Sequence, residues 1–344
     1  MGRIFPPLSH RIFPSYWKPP IVETQYITDS VRKDLVKAPI VETQTITDSG
    51  SWTLKRSFLT GWSFRKPHII NPATGAGTNY QVKVTVHYGS GTDSGADVYL
   101  NGKCRTDFGD VRFTDDDGVT LLDYWMETYT ASSQAVFWIK VADDLSTNPA
   151  TVYLYYGKPD AVTTSNAANT FIFFDNFETD LGWSYYETRS LFSGGYATDQ
   201  YHSPTHSYSL YFPPNSVAYP NDYCEISKTL TLPEGHKKIS LYTRDNRPNG
   251  GVTGYWYKQI YLGSNLLWNM DVMADAGNVW LPTEVETDLS GSQTLRLRLF
   301  LNIDIDNYTV TVWWDDVIIR KYVSPEPSHG AWGSEETPES SGTI

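Results

Sequence analysis

The sequence predicts an all-β protein made of two consecutive antiparallel, jelly-roll-like sandwiches behind an extended N-terminal segment, and three observations carry that prediction. From Leu295 onward Leu295, Leu297, Leu299, Leu301, Ile303 and Ile305 are apolar, with Arg296, Arg298, Asn302, Asp304 and Asp306 in the alternate phase. That period of two is a strand with one buried face. Residues 107–127 read as strand, acidic turn, strand: Val111 and Phe113 alternate with polar neighbours, Asp115-Asp116-Asp117-Gly118 turns the chain, and Leu121-Leu122 restarts an apolar run. No segment sustains a helical period over three turns; the best, 30–37, offers only Val31 and Leu35 four apart.

The composition agrees. The 344 residues include 12 Trp, 24 Tyr and 14 Phe against 27 Lys plus Arg, an aromatic-rich and charge-poor balance suited to sheets, and the length allows two domains with separate cores. A net charge of −12 repels phosphate backbones and anionic lipids, which argues against nucleic acid as a partner. No run of 18 apolar residues is present, so no membrane insertion is expected. The first 20 residues are interrupted by Pro6, Pro7, Pro14, Pro19 and Pro20 and do not read as a signal peptide. Cys104 and Cys224 fall in different predicted domains without metal-type spacing and read as buried thiols, a bridge between them remaining open.

Taken in order, residues 1–55 form an attachment segment. Residues 20–30 read PIVETQYITDS and residues 39–49 read PIVETQTITDS, identical at ten of eleven positions with a spacing of 19. Ile21, Thr24 and Ile27 are separated by polar residues and Asp29-Ser30 closes the unit, so each copy is a short β-unit that cannot bury a core alone. The segment is expected to dock on the neighbouring domain, a second copy or another particle subunit. Residues 56–165 form the first sandwich and residues 166–323 the second. Residues 324–344, rich in Pro, Ser, Gly and Glu with no Lys or Arg, are expected to be an acidic, flexible tail.

Several motifs carry a family resemblance. Gly61-Trp62-Ser63-Phe64-Arg65-Lys66-Pro67, the 107–127 stretch, Ala135 to Val141 (AVFWIKV) and Thr151 to Gly157 (TVYLYYG) together resemble the β-sandwich domain of unknown function numbered 2341, over residues 61 to about 160. That family occurs mostly in surface and virus-like proteins of archaea and bacteria, which implies a setting and not a chemistry. In the second half, Phe174-Asp175-Asn176-Phe177-Glu178, Gly182-Trp183, His206 to Leu210 (HSYSL), Trp280 and Trp313-Trp314-Asp315-Asp316-Val317 occur in the order seen in jelly-roll carbohydrate-binding modules of the xylan- and glucan-binding kind, a resemblance covering about 170–323.

This second resemblance implies a structural Ca²⁺ held by Asp175, Glu178 and Asp316 with a contribution from Ser207, since carboxylates drawn together from distant parts of the chain would repel without a cation. Sugar binding needs aromatic faces on which the C–H side of a pyranose can stack, and Tyr255, Tyr257, Trp183 and Trp268 are the candidates. A strand must send Tyr255 and Tyr257 to the face opposite Trp256; Trp256 is expected inside. Glu284, Glu286 and Asp288 would line one strand face at a spacing near that of a retaining glycosidase pair, but a solvated face explains them equally, so no catalytic residue is assigned. The resulting expectation is a non-enzymatic structural component of a virus particle or extracellular filament, on the virion or extracellular surface, displaying a carbohydrate-binding-like domain toward cell-surface glycans. A free adhesin or lectin is the alternative, and a glycoside hydrolase the third.

Overall fold

The computed structural model of the chain describes residues 45–46, 52–53, 57–213, 219–247, 253–274, 277–303 and 309–338. Met1–Lys55 and Arg56–Ile344 are two separate compact units. In the first, β1 (Thr45–Ile46) pairs antiparallel with β2 (Trp52–Thr53). Apart from Thr45–Ile46, the duplicated units and the 30–37 helix candidate lie outside the described residues.

The second unit holds two sandwiches. In the first, β3 (Phe64–Asn71), β4 (Tyr80–His87), β5 (Asp97–Tyr99), β6 (Arg112–Thr114), β7 (Tyr124–Thr130), β8 (Gln134–Val141) and β9 (Ala150–Tyr156) divide between two sheets, one containing β3-β9-β6 and the other ordered β5-β4-β8-β7. Alternation drives the packing: Val82, Val84 and Val86 of β4 and Ala135, Phe137, Ile139 and Val141 of β8 point into one core with Val152, Leu154 and Tyr156 of β9. The acidic turn forms as expected, with Gly118 at φ +75 and the Gly118 N–H donating to the Asp115 carbonyl. The strand after it is shorter than expected, reduced to a single bridge between Thr114 and Leu121 before β7 begins. Cys104 and Cys224 are free and buried in different cores.

A short helix, α1 (Ala167–Thr170), capped by Asn166, leads into the second sandwich. Its strands are β10 (Phe173–Asp175), β11 (Ser184–Glu187), β12 (Ser193–Ala197), β13 (Ser207–Phe212), β14 (Tyr223–Leu232), β15 (Lys237–Asp245), β16 (Trp256–Leu262), β17 (Asn265–Asp271), β18 (Leu281–Thr287), β19 (Gly291–Leu301) and β20 (Val310–Lys321). One sheet runs β12-β13-β20-β15-β18, with β10 also on β20; the other is the five-stranded β11-β14-β19-β16-β17. Leu295, Leu297, Leu299 and Leu301 are buried as the period of two requires, but β19 ends at Leu301 and Ile303 is exposed. Trp256 is inside, against Phe192 and Phe212.

The two sandwiches share an apolar joint in which Phe171, Ala167 and Ile318 pack with Trp125, Trp138 and Phe174. Polar contacts brace it: Gln81 donates to the Thr170 carbonyl and accepts from the Lys321 backbone, and Arg320 pairs with Glu326, which also accepts from the Tyr80 hydroxyl.

The C-terminal residues depart from expectation. Residues 324–344 do not form a solvated tail throughout, because β21 (Ser328–Trp332) adds antiparallel to the edge of β3, giving the sheet order β21-β3-β9-β6. The first sandwich is therefore built from both ends of the unit. Composition could not show this: backbone pairing asks little of side chains, and the apolar contribution comes from one ring, Trp332, stacked on His68 at 3.8 Å.

His68 is fully buried, with its Nε2 2.9 Å from His329 Nδ1. Burial first, and the neighbouring His329 second, push His68 down to about 3, and burial lowers His329 as well, against a partial counter-effect from Asp97. Both rings are neutral when folded and take up protons more readily when released, so they stabilise the fold fully above the ordinary histidine range and less as pH falls below it. Asp115 and Asp315, held up at about 6 and about 7 chiefly by burial, act with the opposite sign, so the informative quantity is a difference between variants. The cost of His68→Gln, measured by denaturant unfolding, is expected to shrink by about 2 kcal/mol between pH 7.5 and pH 5. A pH-independent cost would contradict a neutral buried His68.

Candidate functional site

The outer face of the five-stranded sheet of the second sandwich gathers a set of outward aromatic and charged side chains. Its origin is the same alternation that builds the core. Cys224 and Ile226 of β14, Leu297 and Leu299 of β19, and Ile260 of β16 point inward, so Tyr223 and Glu225, Arg296 and Arg298, and Tyr257, Gln259 and Tyr261 must point outward. Register then sets the rows. Tyr223 lies beside Phe300 and Phe300 beside Tyr257; Tyr186 of β11 lies beside Glu225, then Arg298, then Gln259; Arg296 lies beside Tyr261.

A groove of about 550 Å³ opens between these rows, lined by Tyr186, Tyr223, Glu225, Tyr261, Gly263, Ser264, Arg296 and Arg298. Gly263 makes the turn after β16 at φ +58, a left-handed conformation that favours glycine. The Arg298 guanidinium lies 3.7 Å from the Tyr223 ring centre and 4.5 Å from that of Tyr261. It also grips Glu225, donating from Nε at 2.8 Å and approaching from Nη2 at 2.7 Å. Arg296 Nε faces the other oxygen of Glu225 at 3.4 Å, and its Nη1 donates to the Gly263 carbonyl at 2.5 Å. Tyr186 is half exposed, its ring centre 5.8 Å from that of Tyr223. Burial raises the Tyr223 phenol, with Arg298 opposing, so Tyr223 is a neutral hydrogen-bonding group at physiological pH. The groove thus offers ring faces and a braced array of N–H donors, and its one carboxylate is occupied by two guanidinium groups.

The residues expected to bind sugar are placed differently from one another. Tyr257 is on this outer face, one row from the groove, its ring 6.4 Å from Phe300. Tyr255 precedes β16 and packs half-buried against the core. Trp183 also leans on the core, its ring 5.7 Å from Phe177, and its indole N–H donates to Asp175 at 2.7 Å. Trp268 pairs in register with the inward Ile260 and meets Trp314 edge-on at 6.4 Å; it borders a smaller cleft of about 260 Å³ between the sheets, with Met270, Leu281, Pro282 and Thr283. Strand phase separates these rings: aromatic count in the sequence is not outward orientation.

The residues expected to hold Ca²⁺ are not drawn into a common cage. Asp175 accepts from the Phe177 backbone and the Trp183 indole. Glu178 accepts from the Thr205 hydroxyl and the His206 backbone, and Ser207 donates to the Gln200 carbonyl. Asp316, at φ +50, meets His202 Nδ1 at 2.6 Å. Its neighbour Asp315 is the more deeply buried acid, accepting the His202 and Ser203 N–H groups. Among the described residues no three His, Cys, Asp or Glu side chains are placed to hold a metal ion. Both oxygens of Asp175 and both of Glu178 already accept hydrogen bonds from protein groups.

Glu284, Glu286 and Asp288 do share an exposed edge, as their spacing predicts. Lys238 pairs with Glu284 at 2.9 Å, while His236 bridges Glu286 at 3.1 Å and Asp288 at 2.8 Å. The two acids raise the His236 imidazole, as in an ordinary surface ion-pair network. The groove residues were missed by sequence reasoning although a signal existed: Arg296 and Arg298 are the alternate phase of the most regular strand, and Tyr223-Cys224-Glu225-Ile226 shows the same alternation.

The family model described as Domain of unknown function (DUF2341) matches residues 107–185, beginning within the first sandwich and ending in β11. No curated protein matches the chain. Among solved structures, the chain is similar to the CBM22-1 xylan-binding domain from Paenibacillus barcinonensis Xyn10C (12% identity, 44% of this chain and 96% of that one, TM-score 0.30). It is similar also to TmCBM61 in complex with β-1,4-galactotriose (12% identity, 41% and 90%, TM-score 0.30). A third similar structure is described in terms of carbohydrate-binding modules from the β-sandwich superfamily (11% identity, 76% and 99%, TM-score 0.33).

Proposed function

We propose that this chain is a non-enzymatic surface protein, a structural component of a virus particle or extracellular filament, which recognises a saccharide through the outer face of the five-stranded sheet. The observation that carries the recognition is the groove itself, where Tyr186, Tyr223 and Tyr261 stand around Arg296, Arg298 and Glu225. Ring faces suit the C–H side of a pyranose, and fixed N–H groups suit its oxygens. The shared joint between the sandwiches supports a display role, because it fixes the groove's orientation relative to the first sandwich. Residues 1–55 would attach the chain to other copies or other subunits. Among the described residues the one carboxylate of the groove is braced by two arginines, which favours binding over acid–base chemistry.

A glycan array followed by titration of the hits tests the recognition. Affinity is expected between about 1 μM and 1 mM for an open groove, and Tyr261→Ala or Tyr186→Ala should weaken it about tenfold. Retained affinity in both variants, or no binding to any glycan, would defeat the reading. A reducing-sugar assay on the same glycans should show no cleavage; hydrolysis lost in Glu284→Gln or Glu286→Gln would make the chain a glycosidase. Imaging of the native protein from its source should reveal a repeating assembly, whereas dispersed single chains would favour a free adhesin.

A further inference from the structure

We infer that the saccharide taken by this groove is anionic, carrying a carboxylate or sulfate ester that Arg296 and Arg298 bind together; the inference rests on the glycan-binding reading above. Charge is the first argument. Two guanidinium groups face one carboxylate, so the lining carries a net positive charge within a chain whose overall charge is −12. A local reversal of sign against that background favours anions at this spot.

Hydrogen-bond balance is the second argument and is independent of the first. Arg298 spends Nε and Nη2 on Glu225, and Arg296 spends Nη1 on Gly263 and directs Nε at Glu225. Arg298 Nη1 and Arg296 Nη2 donate to nothing among the described residues. Glu225 is buried with guanidinium groups at both oxygens, so the charged residues offer donors without a matching free acceptor. A neutral sugar hydroxyl both donates and accepts. A carboxylate or sulfate only accepts, and so matches a surface of surplus donors.

Geometry is the third. Arg296 and Arg298 alternate on one strand, about 7 Å apart along it, so one anionic group, or two on adjacent sugars, can meet both. Arg298 is held over two tyrosine rings, which fixes its position before a ligand arrives.

The test uses the full chain on an array carrying neutral, uronate-bearing, sialylated and sulfated glycans. Any acidic hit is then titrated at low and high salt, and a uronate hit also as its methyl ester. Acidic glycans should bind and neutral ones should not; Arg296→Gln should weaken binding by about tenfold or more, and raised salt should weaken it further. Arg296→Lys, which keeps the charge but loses the planar fork, should fall between wild type and Arg296→Gln. Methyl esterification should abolish uronate binding, and the sulfated arm tells the two anions apart. Binding of neutral glycans that is indifferent to salt and to Arg296→Gln would overturn the anionic inference and leave the glycan reading standing. Silence on every arm would overturn both.

Discussion

Removing residues 327–344 is expected to destabilise the first sandwich by about 3–5 kcal/mol, although sequence composition reads that segment as part of an acidic, flexible tail. Three losses contribute to the effect. The β3 edge loses its partner strand, exposing its backbone groups from His68 to Asn71. His68 loses the ring of Trp332 and its contact with His329. Arg65, almost wholly buried, loses the Glu336 carboxylate at 2.6 Å and two backbone bonds to the same residue, while still lying over Tyr153. The third loss dominates, because a buried guanidinium stripped of its counter-charge keeps its desolvation cost. Glu336 is itself partly exposed, which places the pair toward the weaker end of that range. The cut after Glu326 leaves the Arg320–Glu326 pair and the Tyr80 contact in place. Calorimetry should therefore show a lowered transition, and limited proteolysis should cut first within residues 57–165. Equal melting of the full and shortened chains would mean that β21 contributes nothing.

Much of this fold was legible because strand alternation is a local property. The buried face of β19, the acidic turn at Asp115–Gly118 and the inward Trp256 all follow from a period of two and from turn chemistry. What was not legible depends on distant pairing. Ser328 to Trp332 joins β3 from more than 250 residues away, and no pattern within SHGAW announces it. The candidate site divides in the same way. Which phase of β19 faces out could be read from Arg296 and Arg298, but that β14 and β16 flank it, bringing Tyr223 and Tyr261 to either side of Arg298, needed the sheet order. The placement of Trp183 and Trp268 was hidden for a related reason. Both rings are large enough to pack half-buried at the rim of the core, and sequence gives their type but not their phase relative to the neighbouring strand.

Lys258 shows how a local rule broken in sequence can point to a compensating partner. It shares the inward phase of β16 with Trp256 and Ile260, where an apolar residue is expected, yet it is fully buried. Its ammonium reaches Asp245, also buried at the end of β15, at 2.9 Å, and the other Asp245 oxygen accepts the Arg247 N–H. Replacing lysine by methionine preserves most of the packing volume but leaves a carboxylate inside the core without the ammonium. Lys258→Met is therefore expected to cost about 3–5 kcal/mol, read from denaturant unfolding, and Asp245→Asn should also destabilise by removing the carboxylate that faces the ammonium. The double variant Lys258→Met/Asp245→Asn should recover a large part of the loss, because the asparagine can still accept from Arg247 and both charges of this pair are removed together. The recovery is what separates the two explanations. If the single costs arise from packing, they will add in the double variant; if they arise from an uncompensated charge, the double variant will be more stable than either single one.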